Sequence, residues 1–234
     1  MDINGSVALV TGANRGLGRA FTQGLLDRGA RKVYAAARRT EDIDLSSGRV
    51  EAITLDITDA DHISQAVELA RDVTLLVNNA GTNTFTDLVT GDLDKIRLDL
   101  DTHFYGTLGM VRGFAPTLGA NGGGAIVNVL SAMSWFAYPG ANAYHVAKAA
   151  EWALTNAVRL ELAGQGTLVT GVHLGLADTD MTAGHDADKL PPAEVVRAAL
   201  DGVEAGTWEV LVDDWSTHIK KSLAEDPRAF YAQG

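Results

Sequence analysis

Tyr144 and Lys148 stand four residues apart, and Ser131 precedes Tyr144 by thirteen. Residues four apart on a helix lie one turn above each other on the same face. A helix over Ala143–Ala163 would therefore bring the Lys148 ammonium near the Tyr144 phenol. A neighbouring cation favours phenolate and lowers a tyrosine pKa from about 10 toward neutrality. A phenol tuned that way suits general acid–base chemistry. A second chemical feature opens the chain. The apolar run Val7–Val10 leads into Thr11-Gly12-Ala13-Asn14-Arg15-Gly16-Leu17-Gly18 and then a helical pattern. Glycines there permit a tight turn and close approach of the backbone to a phosphate. The following helix N-terminus offers unpaired N–H groups and a dipole that favours an anion.

Both features need a scaffold, and the rest of the chain reads as one. Apolar runs at Val7–Val10, Lys32–Ala36, Val50–Leu55, Leu75–Asn78, Gly124–Leu130, Leu168–Leu174 and Glu209–Val212 predict strands. Several are apolar on both faces, as in a parallel sheet covered on each side. Between them, helices are predicted near Gly16–Arg28, His62–Arg71, Leu93–Leu118, Ala143–Ala163 and Ala193–Ala205. Asp59 or Asp61 suits the cap of the second, and Pro192 the first turn of the last. The alternation predicts an α/β fold, a Rossmann-like doubly wound parallel sheet of about seven strands with helices on both faces. No repeat or linker divides it, so residues 1–234 are read as one dinucleotide-binding domain.

Composition narrows the partners. Nineteen Lys and Arg against 30 Asp and Glu leave a net charge of −11, which argues against nucleic acid or an anionic membrane. There is no cysteine, hence no disulfide frame, thiolate nucleophile or thiolate metal site. His173 and His185 lack a metal-ligand spacing, and no zinc site is expected. No apolar run approaches the length of a membrane span, and Met1 to Gly5 does not resemble a signal peptide. A cytoplasmic protein acting on a small molecule is expected. Which dinucleotide it takes turns on the end of the second strand. Ala36 and Ala37 supply no carboxylate for the 2′-hydroxyl of NAD(H), whereas Arg38, with Arg15, suits the 2′-phosphate of NADP(H). Arg39 ranks below them.

Together these residues resemble the short-chain dehydrogenase/reductase family in its compact single-domain form, from the first strand to about Met181. Thr11 to Gly18 is similar to the family's TGxxxGxG cofactor turn, which implies cofactor contacts at Gly12, Asn14, Arg15, Gly16, Leu17 and Gly18. By the same resemblance Asp56 contacts adenine, with a backbone contact at Ile57. Asn78-Asn79-Ala80-Gly81 is similar to a segment that braces the sheet beside the cofactor, implying Asn79, Ala80 and Gly81. Thr179 matches a threonine that contacts the nicotinamide carboxamide. Ser131, Tyr144 and Lys148 match the family's catalytic Ser, Tyr and Lys. The resemblance implies that Tyr144 donates or removes the proton of a carbonyl or alcohol. Lys148 lowers its pKa and binds the ribose, and Ser131 holds the carbonyl oxygen. It also implies a homodimer or homotetramer built through the long helices.

Departures from the family pattern are visible too. His103, in Asp101-Thr-His103-Phe-Tyr-Gly106, stands where the family has a catalytic Asn whose backbone carbonyl holds a relay water. The sequence is compatible with the histidine keeping that backbone role or joining through its ring. Leu174-Gly175 replaces the usual Pro-Gly, which predicts a looser nicotinamide pocket. The stretch Thr182–Leu190 predicts a small or open lid, and the C-terminal end lacks the common glycine-rich tail. Trp135, Phe136 and Tyr138 suit either a pocket wall or packing, and Trp152 suits core or interface. The leading expectation is an NADPH-dependent carbonyl reductase, reversible as an alcohol dehydrogenase. The alternative is a non-catalytic NADP-binding regulator or interaction module. An epimerase or dehydratase is disfavoured because little chain follows Met181 for a substrate domain.

Overall fold

A computed structural model describes residues 1–231. Seven parallel strands form one sheet: β1 (Val7–Thr11), β2 (Lys32–Ala37), β3 (Val50–Thr54), β4 (Leu75–Asn78), β5 (Ala125–Val129), β6 (Leu168–His173) and β7 (Glu209–Leu211). Their order is β3-β2-β1-β4-β5-β6-β7, so the chain direction across the sheet reverses between β1 and β4. Such a switch point opens a crevice at the carboxyl ends of the strands. Successive side chains of β1 feed opposite faces. Ala8 and Val10 pack with Phe21 and Leu25 of α1 (Gly16–Asp27) and Val195 and Leu200 of α6 (Pro192–Glu204). Val7 and Leu9 pack with Ala66 of α2 (Ala60–Leu69), Phe114 of α4 (Thr107–Ala120) and Leu154 of α5 (Asn142–Leu162). Burial on both faces is why these strands read as continuous apolar runs.

Asp59 caps α2, its carboxylate accepting from the backbone N–H groups of Asp61 and His62. The predicted helix Leu93–Leu118 is not continuous. It is α3 (Leu93–Leu100), a wide π-helical turn over Asp101–Gly106, and α4. Gly106 packs so tightly on Ile57 that a Cβ would lie 2.8 Å from its Cδ1. The wide turn carries His103 inward, where it is 1% exposed. Turns of this kind inside helices often mark functional sites. Two further helices, α7 (Asp214–Ser222) and α8 (Pro227–Tyr231), follow the sheet, and Trp215 of α7 lines the crevice. No helix among the described residues is long and apolar enough to cross a membrane.

Candidate active site

One cavity of about 1150 Å³ runs along the carboxyl ends of the strands and gathers both chemical features. At one end lies the glycine turn between β1 and α1. A Cβ on Gly18 would lie 2.1 Å from the Gly12 carbonyl oxygen, so this helix start can sit on the strand only with glycine. Gly12 has φ +66°, and its Cβ would also approach the Ala80 backbone. No side chain caps the N-terminus of α1 and no acidic residue sits in its first turn. A backbone this bare, lining the cavity with unpaired N–H groups, fits the phosphates of a dinucleotide. The neighbouring strands are tied beneath it. Asn79 Nδ2 donates to the Thr11 carbonyl at 2.9 Å, and Thr11 Oγ1 accepts from the backbone N–H groups of Asn79 and Ala80. Deeper in the sheet, Asn78 donates to Asn128, which donates to Thr155 of α5.

Gly12, Asn14, Arg15, Gly16, Leu17, Arg38, Asp56, Ile57, Asn79, Ala80, Gly81 and Thr179 all line this cavity; Gly18 supports it from behind. Burial pushes the Asp56 carboxylate up. Hydrogen bonds from Thr58 and the charge of Arg38 outweigh that, and hold it below its usual range. The two arginines differ in their neighbours. Arg15 is paired across the cavity mouth with Asp180 at 2.9 Å, both side chains exposed, so the bond is weak and readily exchanged. Arg38 instead faces Asp56 from the end of β2.

At the other end Ser131, Tyr144, Lys148 and His103 converge. Ser131 follows β5, and its hydroxyl accepts from the Met133 backbone N–H at 3.1 Å on the same cavity wall as Tyr144. Tyr144, Lys148, Glu151 and Thr155 lie on one face of α5, as 4- and 3-residue spacings require. Lys148 Nζ donates to the Val129 carbonyl at 2.8 Å and to Glu151 Oε2 at 2.7 Å. Glu151 is 1% exposed and also accepts from Thr107 Oγ1 at 3.0 Å. The tuning of Tyr144 departs from expectation here. Burial pushes its phenol above the ordinary value, and Lys148 and Ser131, pulling the other way, do not outweigh it. The physical reason is first the loss of solvent around the phenol, and then the negative charge of Glu151, which offsets part of what the ammonium would lower.

Sequence reasoning missed three supporting residues. Glu151 was hidden because a glutamate in a long helix ordinarily faces solvent. His173 is fully buried, its Nδ1 3.0 Å from the Ser131 carbonyl, so it fixes the backbone of the residue that carries the hydroxyl. Asp213, at the start of α7, accepts from the Gly175 N–H at 2.7 Å and the Ser216 N–H at 2.7 Å. That clamp, together with the bond from Ala132 N–H to the Leu174 carbonyl, holds the turn that lacks proline. The turn is thus pinned by α7 rather than loosened. Phe136 and Tyr138 do line the cavity, with Trp215 of α7. Trp135 instead stacks on His173 at 3.8 Å and meets Trp152 edge-on. His145 holds the Tyr138 backbone N–H and has no place in the site.

Burial depresses the His173 pKa to about 4. A histidine that folds neutral is protonated first in the unfolded chain, so stability is full above the unfolded value near 6.5 and is lost as pH falls toward 4. The loss from this group alone should reach about 3 kcal/mol at pH 4. Thermal unfolding from pH 7 to 4 should therefore show a smaller decline in His173→Gln than in the native chain. Parallel declines would contradict this assignment.

The residues 6–190 match the family model described as short chain dehydrogenase. The chain belongs to the short-chain dehydrogenase family. It is similar to a short chain dehydrogenase from Burkholderia cenocepacia solved in complex with NADP, at 39% identity and a TM-score of 0.95, covering 100% of this chain and 98% of that one. An uncharacterized oxidoreductase of Staphylococcus aureus is 28% identical over 206 residues, 83% of this chain and 89% of the relative. A 3-ketoacyl-(acyl-carrier-protein) reductase from Brucella melitensis, complexed with NADH, shares the fold at 23% identity and a TM-score of 0.81, over 88% of this chain and 96% of that one. The seven-stranded parallel sheet and the oxidoreductase family are thereby shown for this short-chain dehydrogenase.

Proposed function

We propose that this short-chain dehydrogenase is an NADPH-dependent carbonyl reductase, reversible as an alcohol dehydrogenase. The observation that carries the reading is the convergence of Ser131, Tyr144 and Lys148 on one cavity with the glycine turn. A bound nicotinamide would supply or accept the hydride. Gly12, Gly16 and the first turn of α1 would hold its phosphates, with Thr179 near the nicotinamide end. Tyr144 gives its phenolic proton to the substrate oxygen, and Ser131 donates to that same oxygen as negative charge develops. Lys148 holds positive charge behind the phenol. The wall formed by Phe136, Tyr138 and Trp215 favours substrates with an apolar or aromatic body. A purely regulatory module has no need of a serine, a tyrosine and a lysine gathered on the cavity that holds the glycine turn.

The test is consumption of NADPH, and of NADH alongside, by the purified protein across ketones, aldehydes and quinones. Turnover supports the reading; NADPH binding with no turnover on any carbonyl favours a binding module. The preference for NADPH rests on Arg38, supported by the relative that holds NADP. Hydrogen bonds to charged groups contribute about 1.5–3 kcal/mol, so Arg38→Asp should shift the NADPH-to-NADH ratio of kcat/KM roughly tenfold to a hundredfold toward NADH. An unchanged ratio removes Arg38 from the 2′-phosphate site.

A further inference from the structure

The wide turn at Asp101–Gly106 and helix α5 bury a carboxylate, an ammonium and an imidazole together. Glu151 Oε2 is shared between Lys148 Nζ at 2.7 Å and the Nδ1 edge of His103 at 3.7 Å. All three are 5% exposed or less. His103 Nδ1 has no hydrogen-bond partner, and Glu151 Oε2 faces it. The other ring nitrogen is served in both of its states. Nε2 lies 2.7 Å from the Thr82 carbonyl, an acceptor for an N–H, and 3.3 Å from the Thr82 backbone N–H, a donor to a lone pair. His103 and Thr82 also line the cavity. A ring with one nitrogen tolerant of either tautomer and the other directed at a buried carboxylate is built to move a proton.

We propose that Glu151 is a positioning residue that joins Lys148 to His103, so that the three side chains form a relay returning a proton to Tyr144 from the Thr82 side of the cavity. The inference rests on the reading of Tyr144 as proton donor. In the reductive direction the Tyr144 O–H breaks as the substrate O–H forms, leaving phenolate. The phenolate is refilled from the Lys148 ammonium, whose Nζ takes a proton from Glu151 Oε2. Glu151 takes that proton from His103 Nδ1, and His103 takes one from water at Nε2. One water-derived proton is consumed per carbonyl reduced, and no electron moves in the relay. The imidazole begins with its proton on Nδ1, Thr82 N–H donating to Nε2. It ends with Nε2–H donating to the Thr82 carbonyl, and tautomer exchange resets it between turnovers. The other titratable groups facing this set are Asp99 of α3, Tyr144 of α5 and His173 of β6. Asp99 is held by Thr84 Oγ1 at 2.7 Å and His173 by the Ser131 carbonyl, so neither offers Glu151 a competing proton path.

The experiment compares Glu151→Gln, His103→Phe and the double variant with the native enzyme, reading kcat, its pH profile, the solvent deuterium isotope effect and NADPH affinity by fluorescence. Each single variant should lose about tenfold to a hundredfold in kcat, with NADPH affinity within about threefold of native. Residues acting as one unit are non-additive, so the double variant should be no slower than the worse single one. Imidazole in the buffer should restore part of the rate to His103→Ala, which a merely structural role would not allow. Multiplying losses in the double variant, or a native pH profile and isotope effect in Glu151→Gln, would overturn the relay. Thr107→Val loosens Glu151 without altering its charge. Should Glu151→Gln not fold, a native kcat and isotope effect in Thr107→Val would overturn the positioning role, and a slower rate with an altered isotope effect would uphold it. Tyr144→Phe is run alongside. If it keeps its turnover, the proposed function fails; if it is inactive while Glu151 and His103 act independently, only the relay fails.

Discussion

Tyr144→Phe is expected to lower turnover by at least about a thousandfold while leaving NADPH binding near native, because proton transfer by a placed side chain contributes about 10²–10⁴-fold. The substitution removes only the hydroxyl. The ring keeps its edge-on contact with His103 at 5.2 Å and its place on α5, so fold and cavity should persist. Its phenol is poised high rather than low because burial dominates and Glu151 offsets Lys148. A tyrosine that holds its proton is the competent form for reduction, which requires a donor. Oxidation of an alcohol needs the phenolate, so that direction should rise with pH into the alkaline range. Steady-state rates with tight-binding measurements on the same preparation check the prediction. Turnover within about tenfold of native would mean that Tyr144 is not the proton donor.

Lys148→Met should be damaging twice over. Turnover should fall at least about a hundredfold, since the charge behind Tyr144 is gone. Stability should also fall, by about 3–5 kcal/mol, because removing one member of a buried ion pair leaves the other uncompensated. Glu151 is that other member, with only Thr107 and the edge of His103 remaining to it. Replacing both by apolar groups should be far gentler. The pair Lys148→Met with Glu151→Leu is expected to regain most of the lost stability and none of the activity. The pH dependence has a definite sign. In the native protein burial pushes the Glu151 carboxylate up, but Lys148 and His103 more than offset this, so it folds below its usual 4.5. Its stabilising contribution is present above the unfolded value and is lost as pH falls through the folded one. With Lys148 gone, burial raises the folded value instead, and the defect should shrink as pH is lowered toward 4.5 and below. Chemical denaturation of the three variants decides the matter: equal stability of native and Lys148→Met would show that the pair contributes nothing.

The aromatic cluster at the C-terminal end illustrates how the lid differs from a reading of its length. Thr182–Leu190 is short, yet α7 and α8 bring Trp215, Phe230 and Tyr231 to Phe136. Phe136 stacks on Tyr231 at 5.6 Å and meets Phe230 edge-on at 4.8 Å. The Tyr231 hydroxyl accepts from the Ala137 N–H. Cover for the cavity thus comes from Trp215 of α7, braced by this cluster, as well as from the short segment itself, of which Thr182, His185 and Leu190 line the cavity.

The sequence by itself determined the sheet, the glycine turn and the order of Ser131, Tyr144 and Lys148. Each of these is local: a strand announces itself by an unbroken apolar run, a phosphate turn by glycines between strand and helix, a shared helix face by a spacing of four. The tertiary structure alone decided how those groups are tuned. Glu151 meets His103 only because a wide π-helical turn packs against α5, and His173 meets Ser131 only because β5 and β6 are neighbours. Asp213 reaches Gly175 only because β6 and β7 are paired neighbours, with His173 opposite Leu211. Burial and charge pairing between distant segments leave no periodicity in the chain, yet in a low-dielectric interior they govern which way a proton is held.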